Sequence, residues 1–382
     1  MENMGRWSRH ARVAISGSYG GVNLGDEAIL QSIVTQLRQV PVEITVFTSD
    51  PEDTLRRHGV ERALQVRGLT RDEARAEVER HDVLVLGGGG ILYDSAVEAY
   101  LREVVLAHEV GVPVFVYAIS AGPLAHAGSR PLIRDALNAA AVITVRDRQG
   151  KRLLEEVGVE KEVRVTADPA LLLEKQPLPE DALRREGLDS GRRLVGFSVR
   201  EPGPAAPDLD VDHYHKLVAD AADFMVDRYD ADVVFVPLEP KSRDLQHSHA
   251  VVSKMLSPQH AAVLKQQYTS GELVALMERF EFAVGMRLHF LIFAATRRVP
   301  FVALPYALKV TGFIQDMEMA MPPLKKVDAG RLIAHIDRSW DTREDLRAHI
   351  DRRLPELKER ARATHEALVA LIDATLAAGP RQ

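Results

Sequence analysis

The sequence predicts an α/β protein built as two doubly wound, Rossmann-like halves, and three observations predict it. Short β-branched runs alternate with segments of helical periodicity from the N-terminal region onward. A polar, proline-containing stretch from Glu174 to Arg193 interrupts the alternation, and a second series of strands and helices resumes at Leu194. Such alternation lays parallel strands side by side with helices on both faces. At 382 residues the chain exceeds one ordinary core, which fits two domains. The expected division is an N-terminal domain over 1–176, a linker over 177–193, a C-terminal domain over 194–340 and a helical tail over 341–382. Two such halves facing each other enclose a cleft at the C-terminal ends of their strands.

In the first half, Val13–Ser16, Val42–Phe47, Val83–Leu86, Val114–Ile119, Ile143–Val145 and Val163–Val165 read as buried parallel strands. Helices are expected at Glu27–Gln39, Arg71–Glu79, Ser95–Glu109, Pro131–Ala140 and Arg148–Val157. The first places Ile29, Ile33, Val34 and Leu37 on one side, a core-facing stripe. In the second half, strands are expected at Leu194–Val199, Val233–Val236, Phe282–Val284 and Phe301–Leu304. Helices are expected at Asp212–Tyr229, Asp244–Leu256, Gly271–Arg279 and Leu288–Ala295. The tail from Asp341 to Ala378 reads as helix broken at Pro355, with Leu368, Leu371, Ile372 and Leu376 at helical spacing, and is expected to pack on a domain or cross back to the first one.

Composition narrows the function classes. A net charge of −6, with no basic run interleaved with aromatics, argues against a nucleic-acid binder. The absence of cysteine excludes disulfides, thiolate nucleophiles and Cys-ligated zinc, and fits a cytosolic protein. The opening MENMGRWSRHAR carries Arg6, Arg9 and Arg12 but no apolar core of a secretory signal. Apolar runs such as Val83–Leu86 and Phe290–Ala295 are too short to cross a bilayer. His213 with His215, and His247 with His249, are each two apart, a spacing that points side chains to different helix faces, so no metal site is expected there.

One stretch reverses the overall sign of charge. Gly285 to Gln315 holds Arg287, His289, Arg297, Arg298 and Lys309 without one Asp or Glu. Opening where a strand meets a helix, it reads as a pocket for a small, multiply charged anion. In GMRLH, Arg287 offers a planar fork for carboxylate or phosphate, and His289 can transfer a proton near neutral pH. Arg200, in FSVRE, ends the first strand of the second half, where open sheets bind ligands.

The first half contributes glycine-rich turns. GSYGGVNLGDEAIL, Gly17 to Leu30, permits close backbone approach by a ligand at Gly20, while Asn23 or Asp26 can hold hydroxyls; the alternative is that Asp26 caps the helix. As a dinucleotide fingerprint its spacing is wrong. LGGGGILYD, Leu86 to Asp94, places Gly88, Gly89 and Gly90 after a strand, a cost in backbone entropy that a ligand would explain, with Asp94 as a base or hydroxyl acceptor. ISAGPL, Ile119 to Leu124, has the same placement. In VRD, Arg146 either reaches into the cleft or pairs with Asp147 at a helix start.

Together GSYGGVNLGDEAIL, LGGGGILYD, ITVRDRQGKRLL, VTADPALLL, GFSVRE and GMRLHFLIFAA followed by VPFVALPYALKV resemble the polysaccharide pyruvyl transferase family, in order from about Val13 to Gly312. The resemblance implies a fold similar to the two-domain GT-B glycosyltransferases. It also implies transfer of an enolpyruvyl-derived group from phosphoenolpyruvate, a co-substrate, to a sugar of a cell-surface glycan or its lipid-linked precursor. No cofactor or metal is expected.

The match carries Arg287, Leu288 and His289 over from the family, and aligns Arg200 and Lys309 with its cations. On this reading Arg200 and Arg287 clamp the donor, His289 protonates its methylene carbon, and Asp94, or else Asp26, takes the hydroxyl proton. YALKV departs from the many relatives that have an acidic or polar residue shortly before the lysine. The resemblance implies a cytoplasmic protein, with peripheral contact at the inner membrane face as a further expectation. The rival readings are a GT-B nucleotide-sugar glycosyltransferase and a non-catalytic glycan-binding protein.

Overall fold

The computed structural model describes residues 9–21, 23–94, 97–124, 126, 128–188, 191–201, 210–239, 243–304, 307–320 and 328–379. The chain forms two compact units. Unit 1 comprises Met1–Gly21, Asp26–Leu173 and Leu357–Gln382, and unit 2 comprises Val22–Gly25 and Glu174–Glu356.

Unit 1 is built on a parallel sheet of β1 (Ala11–Ser16), β2 (Val42–Phe47), β3 (Arg62–Leu64), β4 (Val83–Leu86), β5 (Gly89–Leu92), β6 (Val114–Ala121), β7 (Val142–Val145) and β8 (Val163–Val165). The order is β3-β2-β1-β4-β6-β7-β8, with β5 paired to β6 beside that path. Its helices are α1 (Leu24–Leu37), α2 (Pro51–His58), α3 (Arg71–Glu79), α4 (Val97–Glu109), α5 (Ser129–Asn138) and α6 (Arg148–Glu156), α1 starting on the residues that belong to unit 2. The stripe Ile29, Ile33, Val34 and Leu37 is fully buried, as is all of β4, which is what strands covered on both faces require. Helix starts are set by side chains: Thr70 and Glu73 form a capping box on α3, and Asp147 caps α6 by accepting from Gly150 N at 2.6 Å.

Unit 2 repeats the plan with α7 (Ala182–Arg185), β9 (Arg193–Ser198), α8 (Val211–Tyr229), β10 (Ala231–Phe235), α9 (Arg243–Val252), β11 (Ala261–Val263), α10 (Ser270–Met277), β12 (Phe280–Gly285), α11 (Leu288–Thr296), β13 (Phe301–Ala303), α12 (Leu308–Asp316), α13 (Ala329–Asp341) and α14 (Arg343–Ala377). The parallel order is β11-β10-β9-β12-β13.

Two expectations need correction. The stretch expected as a linker is bound into unit 2, because buried Glu186 accepts from Lys265 N, Gln266 N and Tyr268 Oη at 2.9, 2.9 and 3.0 Å. Pro355 does not break the tail: α14 runs 35 residues through it. Buried Ile350, Leu354, Leu357 and Ala361 hold the helix on both sides of the proline, and this packing outweighs the one backbone hydrogen bond that proline removes. The expected return of the tail is seen in α14, which belongs to unit 2 through Glu356 and to unit 1 from Leu357. The expected helix start at Ser95 lies outside the described residues. Among those described, no helix is long and apolar enough to cross a membrane.

Candidate active site

Arg287 stands at the C-terminal end of β12, in the N-cap position of α11. The turn is fixed by Met286 N donating to Ser198 O at 2.8 Å and by Leu304 N donating to Gly285 O at 2.8 Å, so β9 and β13 hold it from both sides. Buried Phe290, Leu291, Ile292 and Phe293 then anchor α11 in the core. Arg287 and His289 are thus presented by a rigid strand-to-helix joint rather than a free loop.

The environment of Arg287 overturns the expectation of an acid-free pocket. Its Nε and Nη2 donate to Asp244 Oδ2 and Oδ1 at 2.8 and 2.6 Å, and its Nη1 lies 2.9 Å from Glu239 Oε1. A stretch without acids in sequence receives them in space from elsewhere in unit 2. Arg297 and Arg298, beyond the other end of α11, are likewise paired, with Glu278 and Asp351. They do not join Arg287 in one cationic nest.

Burial penalises the Arg287 charge, yet Asp244 and Glu239 hold the guanidinium above its ordinary value. Burial pushes the Asp244 carboxyl up, against the pull of Arg287 and Arg200. Arg200 therefore shares a neighbourhood with Arg287. Its backbone carbonyl accepts from Tyr214 Oη at 2.9 Å, and its Nε donates to Glu201 O at 2.9 Å.

Residues 23–25 complete this part of unit 2. Leu24 N donates to Leu238 O at 2.9 Å, Ser270 Oγ donates to Leu24 O at 2.6 Å, and Asn23 Nδ2 donates to Glu239 Oε1 at 3.0 Å. A Cβ at Gly25 would overlap the ring of His289. The imidazole, half-buried in the first turn of α11, is therefore seated on the Gly25 backbone. Leu288 is buried beside it, and Lys309 lies half-buried in the first turn of α12.

The two histidine pairs meet through one member each, His215 Nε2 lying 2.7 Å from His247 Nδ1. Among the described residues no group of three or more His, Asp or Glu is arranged to hold a metal.

In unit 1 the glycine cluster is not simply a turn. Gly87 and Gly88 are packed against Tyr19 and Ile29, and Gly89, at φ 100°, opens β5. Internal packing and backbone geometry therefore account for these three positions. Gly90 is exposed, and a Cβ there would meet only Arg146 Nη2, at 3.8 Å.

Arg146 is buried; its Nη1 donates to Asp168 Oδ2 at 2.8 Å, while Nε and Nη2 make no hydrogen bond. The ion pair read as Arg146 with Asp147 is thus chiefly one with Asp168, from the VTADPALLL motif. Asp26 lies in the first turn of α1, not at its cap, with Oδ1 against Gly89. Asp94 follows the far end of β5 and accepts from His126 N at 3.1 Å. The two candidate bases therefore mark opposite ends of one strand. The amide of Gly20 is engaged internally, donating to buried Glu27 at 2.9 Å.

Glu239, Asp244 and Asp168 were not assigned roles from sequence. No local signal marks Glu239 or Asp244, which act 48 and 43 residues from Arg287 in the chain. Asp168 stands in a motif whose A-D-P turn could have flagged it.

The whole fold is similar to that of sugar-nucleotide epimerases. A putative UDP-N-acetylglucosamine 2-epimerase from Listeria monocytogenes superposes with a TM-score of 0.65 at 12% identity, covering 97% of this chain and 98% of that one. The UDP-GlcNAc 2-epimerase from Neisseria meningitidis bound to UDP-GlcNAc gives 0.60 at 11% identity, over 94% and 99%. The S. aureus MnaA–UDP complex gives 0.65 at 11%, over 94% and 95%. These likenesses establish a GT-B-like fold of two parallel α/β units and, at such identity, nothing about chemistry. No curated protein matches the chain in sequence. The family model for polysaccharide pyruvyl transferase does match, over residues 23–307, a span that takes in Asn23, the Gly87–Gly90 cluster, Arg146, Arg200 and the Arg287–His289 joint. With most of its length inside that match, the chain belongs to the polysaccharide pyruvyl transferase family.

Proposed function

We propose that this transferase uses phosphoenolpyruvate to place a pyruvate ketal on one sugar residue of a cell-surface glycan or its lipid-linked precursor. The observation that carries the reading is the strand-to-helix joint at Arg287 and His289, which puts a bidentate guanidinium and a seated imidazole two residues apart. Phosphoenolpyruvate carries a carboxylate and a phosphate close together, and Arg287 with Arg200 would bind them. His289 gives a proton to the methylene carbon, leaving the adjacent carbon electron-poor. A sugar hydroxyl attacks that carbon and loses its proton to a carboxylate, with Asp94 the first candidate and Asp26 the second. A second hydroxyl of the same sugar then forms the other C–O bond, the C–O bond to phosphate breaks, and inorganic phosphate leaves with the remaining proton.

A nucleotide-sugar transferase is the second reading, and one observation favours it. Glu239 brings a carboxylate to the Arg287 joint, the kind of group that holds a donor ribose. Phosphate release decides between them, measured with phosphoenolpyruvate and a panel of lipid-linked or nitrophenyl sugars. The expected result is turnover of phosphoenolpyruvate that falls by about 10²–10⁴ in His289→Gln. Turnover of UDP-sugars without any of phosphoenolpyruvate would establish the second reading instead.

A further inference from the structure

Three charged side chains meet at the α11 joint, and they are not equivalent. Asp244 exposes only 2% of its side chain and grips Arg287 by two hydrogen bonds, while Glu239 exposes 28% and reaches it by one nitrogen. Of the two carboxylates, Glu239 is the one nearer to solvent and the less firmly held by Arg287. A single oxygen, Glu239 Oε1, accepts from Arg287 Nη1 at 2.9 Å and from Asn23 Nδ2 at 3.0 Å. Two donors from segments far apart in sequence thus converge on one anionic oxygen.

We propose that Glu239 occupies, in the free enzyme, the place of an anionic oxygen of phosphoenolpyruvate, and that substrate displaces it while Asp244 keeps the Arg287 fork in position. The inference rests on the donor-binding reading of Arg287 given above. Displacement returns the Glu239 carboxylate toward water and hands both donors to the substrate. Asp244 has the opposite duty, because it also accepts from Glu239 N at 3.1 Å and so fixes the backbone from which Glu239 swings. Its burial leaves no route for exchange. Asn23 becomes a donor to substrate, which gives residues 22–25 a reason to belong to unit 2.

Calorimetric titration with phosphoenolpyruvate, together with steady-state kinetics, tests this. Glu239→Gln removes the competing charge but keeps the shape, and is expected to bind phosphoenolpyruvate about tenfold more tightly. Its KM should fall while kcat stays within about twofold, and inorganic phosphate should inhibit it more strongly. Asn23→Ala is expected to weaken binding about fivefold by removing one donor. Glu239→Ala, which also vacates the position, serves as a second variant if the glutamine perturbs the fold. Unchanged or weaker phosphoenolpyruvate binding in folded Glu239→Gln and Glu239→Ala overturns the inference. Arg287→Lys separates the two levels: wild-type affinity there overturns the donor-site reading itself, whereas lost affinity there with no tightening in the Glu239 variants overturns only the displacement.

Discussion

Gly25 leaves no space for a side chain because the imidazole of His289 lies where a Cβ would be. Alanine is a better helix former than glycine by about 1 kcal/mol, so Gly25→Ala at the start of α1 should cost little overall stability. It should still move the ring, and a displacement on the order of 1 Å lowers turnover by about a hundredfold. We expect a melting temperature near wild type with kcat reduced to that extent; full activity would show that the ring need not sit there. Sequence reading could isolate GMRLH because a fork and an imidazole follow a strand. It could not see that Gly25, 264 positions away, forms the seat. For the same reason it read an acid-free run as an acid-free place. Proximity along the chain is a poor guide to the field at a side chain when a parallel sheet assembles its site from strand ends far apart in sequence.

At the level of elements, β-branched runs and apolar stripes were legible because each strand of a parallel sheet is buried on both faces. Elements that lacked that signature were missed. β3 and β11 have three residues each, and β5 is half glycine. The mostly polar α2 announces itself only through its cap, Asp50 accepting from Asp53 N at 3.0 Å with Pro51 at the first position. In α14 a local rule was read too strongly. Proline inside a helix removes one donor and crowds the preceding turn at a cost of about 3 kcal/mol, but the apolar face of α14 continues past it. Pro355→Ala should therefore raise stability by about 1–3 kcal/mol, seen as a higher thermal midpoint. A lower midpoint would mean that the packing of α14 depends on the proline.

For the molecule as a whole, pH acts on both units in the same direction. Burial lowers the pKa of His215, in unit 2, and of His365, in unit 1, from 6.5 to about 4, so each is neutral in the folded protein at neutral pH. The unfolded chain binds these protons more readily, so stability is retained above about 6.5 and lost as pH falls toward about 4. Urea midpoints measured across that window should decline with acidification, and His365→Leu should flatten the decline; a slope unchanged by that variant would mean His365 contributes nothing to it. Fold at this scale was readable from alternation, as were a boundary near residue 176 and a return of the tail, but no signal in the sequence marked the passage of Val22–Gly25 into unit 2. The chain changes unit at 21/22, 25/26, 173/174 and 356/357. A hybrid joined to a relative at 173/174 alone would therefore carry a unit 2 whose Val22–Gly25 segment comes from the other parent, and a unit 1 whose Leu357–Gln382 segment does too. Productive recombination within this family has to respect all four junctions.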